Sequence, residues 1–120
     1  MASVHVRSFD APDETRPYLD KGRIDVLTIA GHTVGGGVFE PGWRWSTHVK
    51  PIAKTDSCQV AHLGYAVSGR TRVVMDDGSQ TEIGPGEVFA IPPGHDAEVV
   101  GDELCVHLGL GEPKGYAKPD

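Results

Sequence analysis

The density of chain-breaking residues constrains this sequence more than any other feature. Sixteen Gly and nine Pro are spread through 120 residues. Both disfavour helix interiors, Gly through backbone entropy and Pro through its missing N–H. Long helices are therefore not expected, and the apolar runs between the breakers have the length of short strands. The chain is long enough for one domain with its own core. Eleven basic against seventeen acidic side chains give a formal charge of −6, which argues against nucleic acid or an anionic membrane as the main partner. Two Cys are too few for a disulfide framework. The opening residues MASVHVRSFD lack the apolar core of a signal peptide, and no run approaches the length of a membrane span. The expectation is a cytoplasmic, acidic, all-β domain.

The strands follow from the turn chemistry. Val4 to Val6 alternates, and Asp10 to Gly22 reads as a surface connection with one helical turn at most. Ile24 to Ile29 and Val34 to Phe39 form strands around Gly31-His32, with Gly35-Gly36-Gly37 marking a bulge or a close backbone approach. Trp43 to Lys50 alternates and ends at Pro51, and Cys58 to Val67 follows a loop. Arg70 to Met75 and Gln80 to Ile83 flank Asp76-Asp77-Gly78, the strongest hairpin signal in the chain. Glu87 to Ile91, Ala97 to Val100 and Leu104 to Leu110 complete the set, with a core spanning about residues 24–110 and residues 111–120 as a loose tail. Many short strands at this spacing predict a sandwich or barrel in a single domain.

The stretch Glu82 to His95, EIGPGEVFAIPPGH, carries Gly86, Pro92 and Gly94 on the frame of the second motif of the cupin family. Upstream, Gly42 and His48 match the start of the first motif, and His62 and Gly69 match its closing Glu-to-Gly spacing. From Phe39 to Leu110 the chain resembles a small single-domain cupin, which implies a double-sheet jelly-roll barrel. A standard cupin holds its metal with three His and one Glu, and here the matching positions are altered. The second His of the first motif falls on Lys50, the Glu on His62, the second-motif His on Ala97 and its Asn on Gly101. Eleven residues separate Lys50 from His62, where the family has three or four. A second register removes this insertion by placing Asp56 and Cys58 on the two His positions. Both registers keep His62.

His48, Cys58 and His62 could supply two nitrogens and a sulfur to a divalent metal, a set that suits zinc and tolerates iron or copper. His95, His107 and Asp56 are further possible ligands, and Lys50 and His95 are candidates for proton transfer or substrate orientation. Alternation puts Gly64 and Ala66 on the face of His62, where small side chains would leave room for a ligand, with His95 and His107 as further lining. The bland readings are a surface His48, a structural Cys58, a turn-capping His95 and a solvated Lys50. Leu104, Val106, Leu108 and Leu110 alternate as a core face that would turn His107 away. Trp43 and Trp45 share one face opposite His48. With His48 inward the indoles point outward, and either a homodimer or the Asp10–Gly22 connection would cover them. The resemblance allows two functions: a metal-dependent enzyme of dioxygenase, isomerase or decarboxylase type, or a non-catalytic module that binds a small molecule.

Overall fold

Turn residues divide the chain, and the segments between them pair into two antiparallel sheets in the computed structural model, which describes residues 2–110 and Tyr116. The larger sheet has six strands in the spatial order β1 (Glu14–Pro17), β2 (Gly22–Ile29), β3 (His32–Phe39), β9 (Cys105–Gly109), β4 (His62–Ser68) and β7 (Val88–Ile91). The smaller has three, in the order β6 (Gln80–Ile83), β5 (Arg70–Met75) and β8 (His95–Val100). Two single-turn helices, α1 (Trp45–His48) and α2 (Lys50–Ala53), lie between β3 and β4. The chain is all-β apart from these turns, a double-sheet jelly roll in which late strand β9 sits between β3 and β4. No helix among the described residues is long and apolar enough to cross a membrane.

Alternation decides what faces the space between the sheets. On β5, Thr71 and Val73 point inward and are buried. Arg70 and Arg72 point outward, where Arg72 pairs with Glu98 and Glu82 and Arg70 with Glu82. The Asp76-Asp77-Gly78 turn joins β5 to β6, with Thr71 opposite Ile83 and Val74 opposite Gln80. In β3 the three glycines keep a regular ladder with both β2 and β9. The close approach expected there is that of aromatic rings: a Cβ at Gly36 would lie 3.1 Å from the Phe9 ring, and one at Gly37 2.8 Å from Phe39.

The segment 43–50 departs from the expected strand. Trp45 and Val49 are both buried, at 2% and 0% exposure, and stand at the i, i+4 spacing of a helix. Asp96 on β8 supplies the missing cap, its carboxylate accepting the Ser46 N–H at 3.0 Å. Pro51 sits in the first turn of α2, and Lys54 ends that helix in the left-handed conformation. The strand expected from Cys58 begins only at His62, and the 10–22 connection contains β1.

Neither indole is exposed, contrary to the outward placement inferred for them. Trp43 and Trp45 are 3% and 2% accessible, and Tyr18 and Phe39 pack on Trp43 at ring-centroid distances of 5.5 and 4.6 Å. The 10–22 connection covers Trp43 through Tyr18, so the indoles offer no surface to a second copy. Leu63, Tyr65 and Val67, on the outer face of β4, are among the exposed large apolar residues. Most of the expected tail lies outside the described residues. Tyr116 is buried, and Arg16 Nη1 donates to its carbonyl at 3.1 Å.

Removing the cap from α1 tests this local account. Asp96→Ala should lower stability by about 1 kcal/mol, the usual cost of a lost N-terminal acceptor, read as a lower urea midpoint at unchanged slope. An unchanged midpoint would mean that packing of Trp45 alone sets the helix.

Candidate metal centre and cavity

Cys58 reaches the barrel wall through a two-way backbone exchange with β8. The Cys58 N–H donates to the His95 carbonyl at 2.7 Å, and the Gly94 N–H donates to the Cys58 carbonyl at 2.7 Å. The turn that makes this possible needs Gly at position 94. Its φ is 92°, and a Cβ there would lie 2.8 Å from the Asp76 carboxylate. His62 opens β4 opposite Ile91 of β7. Its Nε2 stands 3.6 Å from Cys58 Sγ, and its ring centroid is 5.3 Å from that of His95. One donor atom from each of Cys58, His62 and His95 lies within 4.8 Å of the other two.

The hydrogen bonding around these groups prepares them to act as ligands. His95 Nδ1 is 2.8 Å from the Pro92 carbonyl. A carbonyl can only accept, so Nδ1 carries the proton and Nε2 keeps its lone pair. Burial, with smaller contributions from His95 and His107, holds the His62 pKa down at about 4, so the ring is neutral at pH 7. Burial also lowers the His95 pKa. The same burial pushes the Cys58 thiol up to about 11, so a metal must displace its proton to bind sulfur. Two neutral imidazoles and a thiol are a borderline-soft set, which fits zinc and accommodates iron or copper.

His62 and His95 stand on the wall of a cavity of about 470 Å³, the size of a small-molecule site, with Cys58 Sγ 3.6 Å from His62 Nε2 beside it. Its floor is aromatic, built from Phe39, Trp43, Trp45 and Tyr116, and Tyr116 meets the His62 ring edge-on at 4.9 Å. His107, on β9 of the same sheet as His62, lines the cavity between Phe39 and Phe89, at ring distances of 5.2 and 4.8 Å. Burial holds its pKa at about 4, and its Nε2 has no hydrogen-bond partner among the described residues.

Several expected positions change. His48 belongs to α1, outside the donor group, where its Nδ1 accepts the Arg44 N–H at 3.0 Å. Lys50 starts α2 and does not line the cavity. Both lie on helices because 43–53 is not a strand, which leaves the register through Cys58 and His62. Asp56, expected beside Cys58, is exposed and outside the group. Gly64 and Ala66 share the inward face of His62 but do not open the cavity. The Phe89 ring fills the space over Gly64, where a Cβ would come within 2.6 Å of Cζ, and Ala66 packs against Val73 and Ile83. On β9 the expected faces are reversed: Cys105 is fully buried, Leu104 and Leu110 are about half exposed, and His107 turns inward with Gly109. The four aliphatics misled because alternation separates the two faces of a strand without saying which one meets the hollow. His95 stands two residues before Ala97, where the resemblance puts the family's His, and alternation turns both toward the cavity. Tyr116 carried one usable signal, a single aromatic in an otherwise polar run.

No protein-family model matches the sequence, and no curated protein matches it closely. Solved structures do. A Cupin 2 conserved barrel domain protein from Salinispora arenicola superposes with a TM-score of 0.61 at 20% identity, over 90% of this chain and 87% of that one. A double-stranded β-helix protein from Klebsiella pneumoniae gives 0.58 at 17% identity over 95% and 94%. A cupin-like protein from Thermotoga maritima gives 0.53 at 19% identity over 80% and 72%. The fold is of the cupin type. At these identities the likeness carries the barrel and its two sheets, and the chemistry rests on this chain's own side chains.

Acid stability checks the burial of His107 in the cupin-type barrel. Its pKa is lower folded than unfolded, so its contribution is complete above about pH 6.5 and is lost as pH falls toward 4. The loss is on the order of 3 kcal/mol at most. In chelator-treated protein, His107→Phe should flatten this part of the stability profile. A variant that loses stability between pH 6.5 and 4 as steeply as the parent would place the ring in solvent.

Proposed function

We propose that this cupin-type barrel holds a divalent transition metal, zinc or iron, through Cys58, His62 and His95, and binds a small molecule in the adjoining cavity. The observation that carries the reading is the convergence of three donor atoms within 4.8 Å of one another, two of them on residues that line the cavity. Bound there, a metal would supply Lewis-acid polarisation of a guest oxygen. The chain's own residues do the rest. His95 is held in its ligating tautomer by the Pro92 carbonyl, and Tyr116 covers the edge of His62. The aromatic floor excludes water and packs against the guest. Three protein donors leave coordination positions open, as in catalytic rather than structural zinc sites.

A second reading is a non-catalytic binding module. It is favoured by the loss of both expected proton carriers from that role: Lys50 is away from the cavity, and His95 is committed to the donor group. Metal-assisted binding is common to both readings, and turnover separates them.

Protein purified without a His tag should contain close to one metal per chain by elemental analysis. His62→Ala should reduce that content at least tenfold while keeping the β-sheet circular dichroism of the parent. Chelation should lower the thermal midpoint, and zinc in excess should restore it, because a ligand that binds only the folded state stabilises it. Metal content unchanged in His62→Ala, or no uptake after reconstitution with zinc, iron, nickel or manganese, would remove the proposal.

A further inference from the structure

Four residues lining the cavity, Trp43, Trp45, Thr71 and His107, each carry a buried polar atom with no hydrogen-bond partner among the described residues. Such atoms are rare in folded proteins, because a buried polar group left unpaired has lost its water without gaining a partner. Their grouping around one hollow marks it as a place where partners arrive from outside the chain. All four can donate a hydrogen bond, and the indole N–H groups can only donate. The set therefore asks for an acceptor.

Charge narrows the class further. The cavity lining contains no Asp, Glu, Lys or Arg among the described residues. Its polar side chains are three imidazoles, the Tyr116 phenol, the Thr71 hydroxyl, the Gln59 amide and the two indoles. In the metal-free barrel an anionic guest would bury its charge with no Lys or Arg beside it, at a cost that an apolar wall cannot offset. Thr71 on β5 and His107 on β9 belong to the two facing sheets, so the unpaired groups stand on both sides of the hollow.

We propose that the cavity takes an uncharged, largely apolar molecule bearing a carbonyl oxygen, and that His107 and Thr71 are the residues that hold that oxygen. The inference deepens the small-molecule reading above, and it does not require a metal. Phe39 and Phe89, which flank His107, supply the apolar contact on either side of that oxygen. His107 is then a binding residue, separate from the donor group that holds the metal.

Three probes of similar shape test the assignment: acetophenone with its carbonyl, ethylbenzene without it, and benzoate with a charge. Dissociation constants are measured by NMR titration on the parent, on chelator-treated parent, and on His107→Phe and Thr71→Val. The parent should prefer acetophenone to ethylbenzene by about tenfold, the worth of one well-made hydrogen bond. In the chelator-treated protein, benzoate should bind more weakly than acetophenone. The preference should survive chelation and shrink to about parity in His107→Phe, with a partial loss in Thr71→Val. Both substitutions remove an unpaired buried polar atom at similar shape, so the thermal midpoint should not fall. If one variant fails to fold, the other carries the test. Tighter binding of benzoate than of acetophenone to the chelator-treated protein, a preference intact in both variants, or no binding of any probe at millimolar concentration overturns the proposal. A preference abolished by chelation but kept in both variants also overturns it, since the metal would then hold the oxygen. Failure of the metal reading is separate and is read from elemental analysis alone.

Discussion

The candidate metal centre depends on one backbone exchange, in which Cys58 donates to the His95 carbonyl and accepts from the Gly94 N–H, both at 2.7 Å. Cys58 belongs to an irregular connection and His95 to a strand of the smaller sheet. Without the exchange, no regular ladder would hold the thiol against the barrel. The exchange itself needs a sharp turn, which Pro92, Pro93 and Gly94 provide. Through His95, the same turn sets the Nδ1 contact with the Pro92 carbonyl that frees the opposite nitrogen. A short proline-glycine sequence thus fixes the position of one donor and the tautomer of another.

Burial controls the chemistry of the cluster in opposing directions. It keeps the imidazoles neutral, which favours metal binding, and it raises the thiol pKa, which hinders it. Both effects come from a low-dielectric surrounding that penalises any charged form. A metal cation resolves the conflict, because it takes the thiolate as a partner and accepts neutral nitrogen without penalty. The cluster suits an occupant that brings positive charge, whereas the cavity beside it, free of ionised side chains, suits a neutral one. The two proposals concern adjoining regions of opposite electrostatic preference.

The fold was largely legible in the sequence because turn residues and period-two alternation are local signals. The hairpin at Asp76-Asp77-Gly78 and the inward row His62, Gly64, Ala66 are examples. The segment 43–50 was not, since Trp43 and Trp45 also alternate like a strand. What makes Trp45–His48 a helix is the Asp96 carboxylate, some fifty positions away in sequence. His62 and Cys58 were readable as donors from the resemblance. Their convergence with His95 was not, because it requires the exchange across a loop that has no sequence period. On β9 the apolar run Leu104, Val106, Leu108, Leu110 pointed the wrong way. An interior strand facing a hollow places its polar residue toward the hollow and its aliphatics toward the outside. Phe89 shows the complementary failure: space beside a small residue belongs to whichever ring arrives first, and strand alternation does not say which.

The grip of Arg16 on the carbonyl of Tyr116 joins residues 100 positions apart in the chain. Since Tyr116 forms part of the floor beside His62, the hollow is walled only after both ends of the domain have met. Closing so long a loop is slow compared with forming a hairpin. A half-made barrel would therefore offer its imidazoles to water and to stray ions, and a selective chamber would emerge only at the last stage of folding.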